Sequence, residues 1–431
     1  MRLQYFAAAA LLAALGSTGA AWAQGLPAAS PESVGMSAPR LAHISDVFKQ
    51  EIEKGNMPGV VVLVARKGRL VYSDAVGFQH KESGKPMAKD SIFRIYSMTK
   101  PLVSVAAMML VEDGKLELTD AVSKFLPAMK GMQVSVAKTD PAFARITYSL
   151  APAEREMTVQ DLLRHTAGLA YANLTQNTPV KEAYVKAGVD EDPRNLSPVD
   201  EVERLGKTPL AHDPGTYWEY SLATDVLGRV VEVASGKRLA DFLDERLFKP
   251  LGMADTAFWV PKDKLSRLAE PLPVDASTGK PNKLYDVSVI PNNDSGGAGG
   301  VSTAGDYIRF AQMMANGGQL DGKRILSRTT VELMASDHLG TRIQAPVTPG
   351  EILLATTGYT FGLGFAVRQG AGVAGVPGSA GEFMWGGYAG TYFWIDPKEQ
   401  LVGVYMSQAP SPIRSYYRKL FKALVYAAIV D

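Results

Sequence analysis

The sequence predicts an α+β protein in which one antiparallel sheet is flanked by N- and C-terminal helices and joined by a mainly helical second lobe. β-Rich runs occur near both ends of the chain, whereas residues 111–299 carry helical segments between loops rich in Pro, Gly and Asn. We expect residues 35–110 and 300–431 to build a single sheet, because strands at both ends must share a core. The cleft between the two lobes is then the expected ligand site.

A helix, a hairpin and a second helix are predicted in turn near the N-terminus. Apolar residues recur at helical spacing after Ser37, which can serve as the N-cap, and Gly55 ends this first helix. Residues 59–72 hold two Val- and Leu-rich runs on either side of a short turn, which predicts a β-hairpin. Residues 101–111 are apolar nearly all round, and this predicts a helix buried in the middle of the protein.

The middle of the chain predicts short helices, and the last part returns to strands. The helices are expected at residues 158–164, 225–234 and 239–247. Thr158 and Ser221 stand where N-caps would be. The strands are expected at residues 359–367, 391–395 and 401–406. A terminal helix follows them, with Leu420, Phe421, Leu424 and Val425 on its apolar face.

The first 23 residues have the pattern of a secretory signal peptide. Arg2 precedes an apolar run over residues 5–15, and Ala21-Trp22-Ala23 fits the small-x-small rule for cleavage. We therefore expect export to the periplasm or medium, with cleavage near Ala23-Gln24 and one hydrolase domain over residues 24–431. No later stretch approaches 18 uninterrupted apolar residues, so no membrane span is expected in the mature chain.

Composition and missing motifs exclude several functions. Lys and Arg number 45 against 44 Asp and Glu, so we expect no nucleic-acid partner. Cysteine is absent and the five histidines lack helix-face metal spacing, so we expect no metal. Phosphate-loop, dinucleotide and Gly-x-Ser-x-Gly motifs are also absent, and no cofactor is expected. The glycine-rich run at residues 295–300 predicts a flexible turn.

A candidate nucleophile stands in the tetrad Ser97-Met98-Thr99-Lys100. A serine hydroxyl is a poor nucleophile without a base, and a lysine three residues later lies on the same helix face. The same spacing occurs at residues 135–138 and 277–280, but in polar, loop-like surroundings. Only Ser97 lies between a strand-like run and the start of a buried helix, where the helix N-terminus favours developing negative charge.

Residues 93–101, Phe-Arg-Ile-Tyr-Ser-Met-Thr-Lys-Pro, resemble the active-serine box of the penicillin-recognising serine hydrolases. Within this penicillin-binding-protein-like group, the chain is most similar to the class C β-lactamase-like carboxylesterases, known as family VIII. The resemblance extends over about residues 30–430, because three further boxes follow in the expected order. It implies a β-lactamase/transpeptidase-like fold and catalysis by Ser97 with Lys100.

Two of these boxes lie in the predicted helical lobe. Residues 162–169 resemble the family's Leu-Leu-x-His-Thr-Ser-Gly-Leu segment, where His165 is expected to have a structural, hydrogen-bonding role. Residues 214–222 resemble the box in which a tyrosine acts as partner base to the serine, and Tyr220 occupies that position. The resemblance therefore implies that Lys100 and Tyr220 act together as the general base.

The last box, Trp385-Gly386-Gly387-Tyr388, falls on an inferred strand. It lies where β-lactamases carry Lys-Thr-Gly and where the esterases often carry Trp-Gly-Gly. The resemblance implies that the backbone N–H groups of Ser97 and Tyr388 form the oxyanion hole. Trp385, Gly386 and Gly387 are then expected to bind substrate, since glycines let the backbone approach a carbonyl group. A glycine pair that only marks a bulge is the alternative.

Two departures from the β-lactamase pattern favour esters as substrates. Leu222 replaces an asparagine that contacts the lysine and the substrate amide, and Trp385 replaces the lysine that binds a substrate carboxylate. We expect an exported serine carboxylesterase that acts on a small-molecule ester through an acyl-enzyme on Ser97. The alternatives are a β-lactamase, a D-aminopeptidase or D,D-peptidase, and a non-catalytic ligand-binding protein of the same fold.

Overall fold

A computed structural model describes residues 25–143, 145–189 and 192–431, and the predicted signal peptide lies outside the described residues. The helices are α1 (Ala38–Glu53), α2 (Thr99–Glu112), α3 (Val159–Leu163), α4 (Thr178–Ala187), α5 (Pro198–Leu205), α6 (Ala223–Ser235), α7 (Leu239–Leu243), α8 (Lys249–Leu251), α9 (Ala304–Ala315), α10 (Arg328–Met334), α11 (Pro349–Leu354) and α12 (Arg414–Ala427). In the part of the chain that is described, no helix has both the length and the apolar character needed to cross a membrane.

The strands belong to one large sheet and three short pairs within the described residues. They are β1 (Gly59–Arg66), β2 (Arg69–His80), β3 (Lys85–Pro86), β4 (Phe93–Arg94), β5 (Gln133–Asp140), β6 (Arg145–Pro152), β7 (Val301–Ser302), β8 (Gln319–Leu320), β9 (Lys323–Arg324), β10 (Tyr359–Phe361), β11 (Ala366–Arg368), β12 (Phe383–Gly386), β13 (Tyr392–Asp396) and β14 (Leu401–Ser407). The large sheet has the order β10-β11-β12-β13-β14-β1-β2-β3.

The two ends of the chain meet at the centre of this sheet. Strand β1 pairs antiparallel with β14, so that Val60 lies opposite Ser407 and Arg66 opposite Leu401. Every residue of β1 is buried, as expected for a Val-rich strand covered on both faces. The predicted α+β class, with one antiparallel sheet built from both ends of the chain, is confirmed.

Helices cover both faces of the sheet, and β13 shows how. Successive side chains of a strand point to opposite faces. Phe393 packs against Tyr307 of α9, with ring centroids 4.9 Å apart, whereas the next residue, Trp394, packs against Phe421 of α12 at 5.3 Å. Helix α1 packs against α12 and joins it on the Trp394 face, because Phe48 and Phe421 both contact Tyr405. The terminal helices therefore cover one face, as predicted.

Helix α2 connects the sheet to the helical part of the molecule. All its residues from Thr99 to Leu110 are buried, which agrees with the apolar pattern in the sequence. The helix packs against α6 and α7. A short 3₁₀ turn, Tyr96–Met98, precedes α2 and lies next to the end of β12. The nucleophile candidate Ser97 therefore stands on a turn that is held from both lobes.

Four local predictions differ from the structure. Residues 359–367 form two strands, β10 and β11, because the chain reverses at Gly364, whose φ is +92°. Helix α6 begins at Ala223 with Leu222 as N-cap, so Ser221 is not the cap. The helix predicted at residues 239–247 is α7 followed by a π-helical turn. The middle of the chain also contains the hairpin β5–β6, which was not predicted.

Candidate active site

Ser97 lies on the 3₁₀ turn between β4 and α2. The preceding residue, Tyr96, has φ = +43°, a left-handed conformation that is uncommon outside glycine. The surroundings hold this conformation, since the Tyr96 hydroxyl accepts a 2.9 Å hydrogen bond from the Tyr285 N–H. Backbone strain of this kind persists only where neighbours enforce it, and it is common next to reacting groups.

The structure brings together the three residues that the sequence assigned to the nucleophile and base. The Tyr220 hydroxyl donates to Ser97 Oγ at 2.6 Å. Lys100 Nζ lies 3.5 Å from Ser97 Oγ and 4.8 Å from the centre of the Tyr220 ring. Lys100 is only 1% exposed. Nucleophile, hydroxyl partner and cation therefore lie within hydrogen-bonding or contact distance before any substrate binds.

Neutral acceptors hold the buried Lys100 ammonium group. Nζ donates to the Gly297 carbonyl oxygen at 2.7 Å and to the Tyr171 hydroxyl at 3.0 Å. Buried charges require such hydrogen bonds, because removing them from water is costly. No described carboxylate forms an ion pair with Lys100. The ammonium charge is thus left to act on Ser97 and Tyr220.

The glycine-rich run at residues 295–300 is not the flexible turn that the sequence predicted. Its residues are buried except for the partly exposed Ala298. Oδ1 of Asp225 accepts from the Gly297 N–H at 2.9 Å and from Ser295 Oγ at 2.6 Å. A Cβ on Gly297 would lie 2.1 Å from the Asp225 carboxylate. The glycines are therefore needed for close packing, and the loop fixes the carbonyl group that receives Lys100.

Tyr171 is a site residue that the sequence analysis missed. It follows the His165 box by a few residues and packs its ring 5.2 Å from that of Tyr220. Burial, with the neighbouring Tyr220 as a second cause, raises the pKa of Tyr171 well above its usual value. The Tyr171 hydroxyl is therefore a neutral acceptor for Lys100. Its position after the box was the only signal in the sequence.

His165 has the structural role that was expected. It is buried, shares a 3.1 Å hydrogen bond between Nδ1 and Ser221 Oγ, and packs against the Tyr220 ring at 5.1 Å. Burial, together with the charge of Lys100, holds the pKa of His165 well below its usual value. The neutral imidazole therefore packs against Tyr220 without adding charge.

Asp161 stabilises the segment that carries His165. Its fully buried carboxylate accepts from Arg155 at 2.6 Å, from Arg164 at 3.0 Å and from the Thr166 hydroxyl at 2.8 Å. Burial opposes ionisation, but these hydrogen bonds outweigh it and lower the pKa of Asp161 to about 2. Thr158 caps α3 as predicted, and Asp161 completes its capping box.

The Trp385-Gly386-Gly387-Tyr388 segment forms the end of β12 and the turn after it. Trp385 is fully buried but borders the cavity above Ser97, and its ring contacts Tyr220 at 5.4 Å. A Cβ on Gly387 would lie 2.2 Å from the Ile95 carbonyl oxygen, and one on Gly386 would lie 2.9 Å from Arg418. Gly387 therefore lets the end of β12 approach the nucleophile turn, and Gly386 leaves room for Arg418.

Tyr388 lies at the cavity with half its surface exposed, and its ring packs 5.4 Å from that of Tyr96. Within the described residues, its backbone N–H donates to no acceptor. The neighbouring Gly387 is held on both sides, since its N–H donates to Thr391 and its carbonyl oxygen accepts from Arg418. The Tyr388 N–H is thus a fixed donor that remains available to a ligand.

A cavity of about 430 Å³ opens above Ser97 and is large enough for a small organic ligand. Its lining includes Ser97, Tyr171, Tyr220, Leu222, Lys283, Tyr285, Ile352, Gly386, Gly387, Tyr388 and Arg414. Leu222 stands where the β-lactamase pattern has asparagine. In the described part of the chain, no three His, Asp or Glu side chains are grouped so that they could hold a metal ion.

Known proteins are similar to this chain in both sequence and fold. The family model described as Beta-lactamase matches residues 44–427. Esterase EstB of Burkholderia gladioli is 31% identical over 389 residues, covering 85% of this chain and 90% of the esterase. Lovastatin esterase of Penicillium rubens is 30% identical over 390 residues, covering 85% of this chain and 92% of the esterase.

A solved structure of a hydrolase has a fold similar to that of this chain. EstCE1, described as a hydrolase with promiscuous acyltransferase activity, is 28% identical and superposes with a TM-score of 0.72. The match covers 90% of this chain and 98% of EstCE1. Because the family model covers most of the chain and two esterases are at least 30% identical over most of its length, this chain belongs to the beta-lactamase family and is a serine hydrolase of that family.

Proposed function

We propose that this protein is a carboxylesterase that forms an acyl-enzyme on Ser97. The observation that carries the proposal is the 2.6 Å contact between the Tyr220 hydroxyl and Ser97 Oγ, with Lys100 buried beside both. A serine nucleophile needs a base within hydrogen-bonding distance, and Tyr220 occupies that place. Lys100 lies beside the Tyr220 ring, and its positive charge stabilises the negative charge on the Tyr220 oxygen before that oxygen accepts the Ser97 proton.

The proposed reaction has two steps, acylation of Ser97 by the ester and deacylation of Ser97 by water. In the reactive form the Tyr220–Lys100 pair has given up one proton, so the Tyr220 oxygen is free to accept. Ser97 Oγ bonds to the ester carbonyl carbon while its proton moves to that oxygen and the carbonyl π electrons move to the carbonyl oxygen. The backbone N–H groups of Ser97 and Tyr388 donate to the resulting oxyanion, each contributing about 3–4 kcal/mol. The bond to the alcohol oxygen then breaks, and the pair returns the proton to the departing alkoxide. Water repeats these steps on the acyl-enzyme, which releases the acid and restores the Ser97 hydroxyl.

The cavity supports an ester as the substrate. Leu222 offers no hydrogen bond to a substrate amide, and Trp385 places an aromatic ring where the β-lactamase pattern has a cation. EstB and lovastatin esterase carry esterase names, and they cover most of this chain. Hydrolysis of β-lactams is the second candidate, because Lys283 and Arg414 line the cavity and supply positive charge for a carboxylate.

The decisive experiment compares initial rates on p-nitrophenyl butyrate for the mature protein and the Ser97→Ala variant. We expect the variant to lose at least about a thousandfold in kcat/KM, because the proposed acyl-enzyme cannot form without the Ser97 hydroxyl. Ser277→Ala is the matched control, since Ser277 begins another Ser-x-x-Lys tetrad but lies exposed in a turn. Equal loss in both variants, or none in either, would contradict the assignment of Ser97.

Two further measurements separate the alternatives. A chromogenic cephalosporin turned over faster than the ester would favour the β-lactamase function. Labelling of Ser97 by a serine-directed phosphonate is expected, and failure to label would favour a non-catalytic ligand-binding protein. Added alcohol acceptors should show whether acyl transfer accompanies hydrolysis, because EstCE1 is described as having promiscuous acyltransferase activity.

We also propose that the protein is exported and cleaved between Ala23 and Gln24. The proposal rests on the charged start, the apolar run and the small-x-small site in residues 1–23. N-terminal mass spectrometry of the protein from the periplasmic and extracellular fractions tests it. A chain that begins at Met1 in the cell interior would contradict export.

A further inference from the structure

A second cavity of about 830 Å³ lies next to the first, and the two cavities share part of their lining. Leu174, Tyr220, Ile352 and Arg414 border both cavities. The outer wall of the second cavity is the hairpin β5–β6, which the sequence did not predict and to which the proposed chemistry assigns no role. The first cavity alone holds a small ester, so the second provides room for a larger group attached to it.

One face of the hairpin is turned towards this cavity. Ala137 lies opposite Tyr148 and Thr139 opposite Ile146, and cross-strand partners share a face. All four line the second cavity. Lys138 and Thr147, the cross-strand pair on the other face, do not line it. Val134 and Val136, nearer the base of the hairpin, also line the cavity, so only the part towards the tip has a cavity face and a solvent face that can be altered separately.

Apolar side chains around the second cavity are exposed to an unusual degree. Ile146, Leu174 and Val347 come from separate segments, and their exposed fractions are 55%, 49% and 56%. All three line the cavity. Single exposed apolar residues are ordinary, but several that converge on one concavity mark a binding surface. A neutral, apolar ligand group would remove their side chains from water.

The charged groups of the second cavity do not favour an anion or a cation. His212 Nε2 and Glu219 Oε2 are paired at 2.9 Å, and the His212 ring stacks on Tyr217 with centroids 3.8 Å apart. Asp213 and Arg414 also line the cavity and carry opposite charges. The Glu219 carboxylate is thus held by His212, and Asp213 is offset by Arg414, so no charge of one sign dominates the cavity, which suits an uncharged occupant.

Tyr220 determines which part of the ester faces the second cavity. In the proposed reaction Tyr220 returns a proton to the departing alkoxide, so the alcohol oxygen must lie beside the Tyr220 hydroxyl. Tyr220 is also part of the border between the two cavities. The alcohol portion therefore has a direct route past Tyr220, whereas the acyl portion remains bonded to Ser97 in the first cavity.

We propose that the second cavity is a subsite for the alcohol portion of the substrate, and that this alcohol carries a large, neutral, apolar group. The inference rests on the proposed esterase function and specifies its substrate class. It predicts selection for size in the alcohol and not in the acid, and it assigns that selection to the cavity face of the hairpin.

Three esters that differ by the same six carbons test the proposal. Phenyl butyrate is the reference, 4-hexylphenyl butyrate extends the alcohol, and phenyl decanoate extends the acid. For the natural protein we expect kcat/KM for 4-hexylphenyl butyrate to exceed that for phenyl butyrate at least tenfold. The reason is that the hexyl group is transferred from water into the apolar second cavity. Phenyl decanoate is expected to gain no comparable advantage.

Two hairpin variants link this preference to the cavity. Ala137→Trp fills the cavity from an exposed strand position and should reduce the tenfold ratio to near one, and Ala137→Asp should do the same by adding a charge. Thr147→Trp places the same large side chain on the solvent face of the hairpin and should keep the ratio of kcat/KM values seen for the natural protein. Thermal unfolding of each variant shows whether the fold is retained.

The outcomes separate this inference from the proposed function. If none of the three esters is hydrolysed, the proposed function fails and the subsite fails with it. If phenyl butyrate is hydrolysed but the hexylphenyl ester has no advantage, or its advantage survives Ala137→Trp and Ala137→Asp, the subsite is wrong while the esterase stands. An advantage for phenyl decanoate that Ala137→Trp removes would assign the cavity to the acid, which overturns the proposal.

Discussion

The Nζ atom of Lys100 donates to the carbonyl oxygen of Gly297 at 2.7 Å. A backbone group of the loop at residues 295–300, far away in sequence, therefore holds the Lys100 side chain in place beside Ser97. A carbonyl group provides a partial negative charge without cancelling the lysine charge as a carboxylate would. The loop is itself anchored by Asp225 through the Gly297 N–H. Asp225 lies on helix α6, so this helix positions Lys100 through two successive hydrogen bonds, one between Asp225 and Gly297 and one between Gly297 and Lys100.

Replacing Asp225 with Ala should release this loop and misplace Lys100. We expect kcat on p-nitrophenyl butyrate to fall by roughly ten- to a hundredfold, because small displacements of a catalytic group are costly. Asp225→Asn keeps an acceptor for the Gly297 N–H and should retain more activity than Asp225→Ala. Phosphonate labelling of Ser97 should slow in the same order. If the two variants are equally active, the hydrogen bond to Gly297 is not what positions Lys100.

A methyl group at Gly387 should separate β12 from the nucleophile turn. In Gly387→Ala the new Cβ would lie 2.2 Å from the Ile95 carbonyl oxygen, which cannot yield without backbone movement, and 2.3 Å from the side-chain atom Thr391 Oγ1. We expect kcat/KM to fall by about a hundredfold and unfolding to become easier by about 1–3 kcal/mol. Gly370→Ala is the control, since its Cβ would have ordinary contacts at 3.7 Å. Normal activity in Gly387→Ala would show that this close approach is not needed.

The sequence predicted the parts of the site whose local motifs resemble the boxes of a known family. The Ser97 tetrad, the Tyr220 box and the glycine strand each have a recognisable order, and the structure brings Ser97, Lys100 and Tyr220 into contact. β1 was likewise evident, because a strand buried on both faces is apolar along its whole length. Such features were predictable since the residues concerned are adjacent in sequence.

The contacts that depend on long-range packing could not be predicted in this way. The loop at residues 295–300 has the composition of a flexible turn, and only its burial against Asp225 reveals its role. Tyr171 has no motif of its own and becomes a partner of Lys100 through the fold. The hairpin β5–β6 is an exception, because Ile146, Tyr148 and Leu150 alternate with polar residues along β6, a pattern that could have predicted the strand.

Removing the Tyr171 hydroxyl should weaken catalysis without removing the base. The hydroxyl accepts from Lys100 Nζ at 3.0 Å, and hydrogen bonds to charged groups are worth about 1.5–3 kcal/mol. Tyr171→Phe is therefore expected to lower kcat by roughly ten- to a hundredfold. Tyr220→Phe should lower it further, because it removes the group that contacts Ser97. If the two variants fall in the opposite order, the roles of the two tyrosines must be exchanged.

Asp161→Asn should destabilise the fold more than it affects chemistry. The buried carboxylate accepts from Arg155, Arg164 and Thr166, and an amide places donors against these donors. Breaking a buried pair of this kind costs about 3–5 kcal/mol. The pKa of about 2 means that Asp161 stabilises the fold above pH 4 and loses this effect as pH falls towards 2. Urea unfolding at pH 7 tests the loss, and the exposed Asp46→Asn should change stability by less than about 0.5 kcal/mol.

Glu201 should make the protein less stable as pH rises from about 5 to 8. It is buried on α5, where Asn293 donates to Oε2 at 2.6 Å while Oε1 has no hydrogen-bond partner in the described structure. Burial, reinforced by the nearby Asp225 carboxylate, raises the pKa of Glu201 to about 8, from an ordinary value of 4.5. In this pH window the folded protein keeps a proton that the unfolded chain has released, so each pH unit costs about 1.4 kcal/mol of stability.

Glu201→Gln should remove this pH dependence, because the amide stays neutral in both states. Urea unfolding at pH 5, 6, 7 and 8 should show the free energy of unfolding of the natural protein falling relative to the variant by up to about 1.4 kcal/mol per pH unit. Glu203→Gln, an exposed change on the same helix, should follow the natural protein at every pH. Parallel curves for the natural protein and Glu201→Gln would mean that Glu201 is already ionised in the folded state. The second buried carboxylate would then stand beside Asp225 as an anion, and the loop that holds Lys100 would rest against two negative charges.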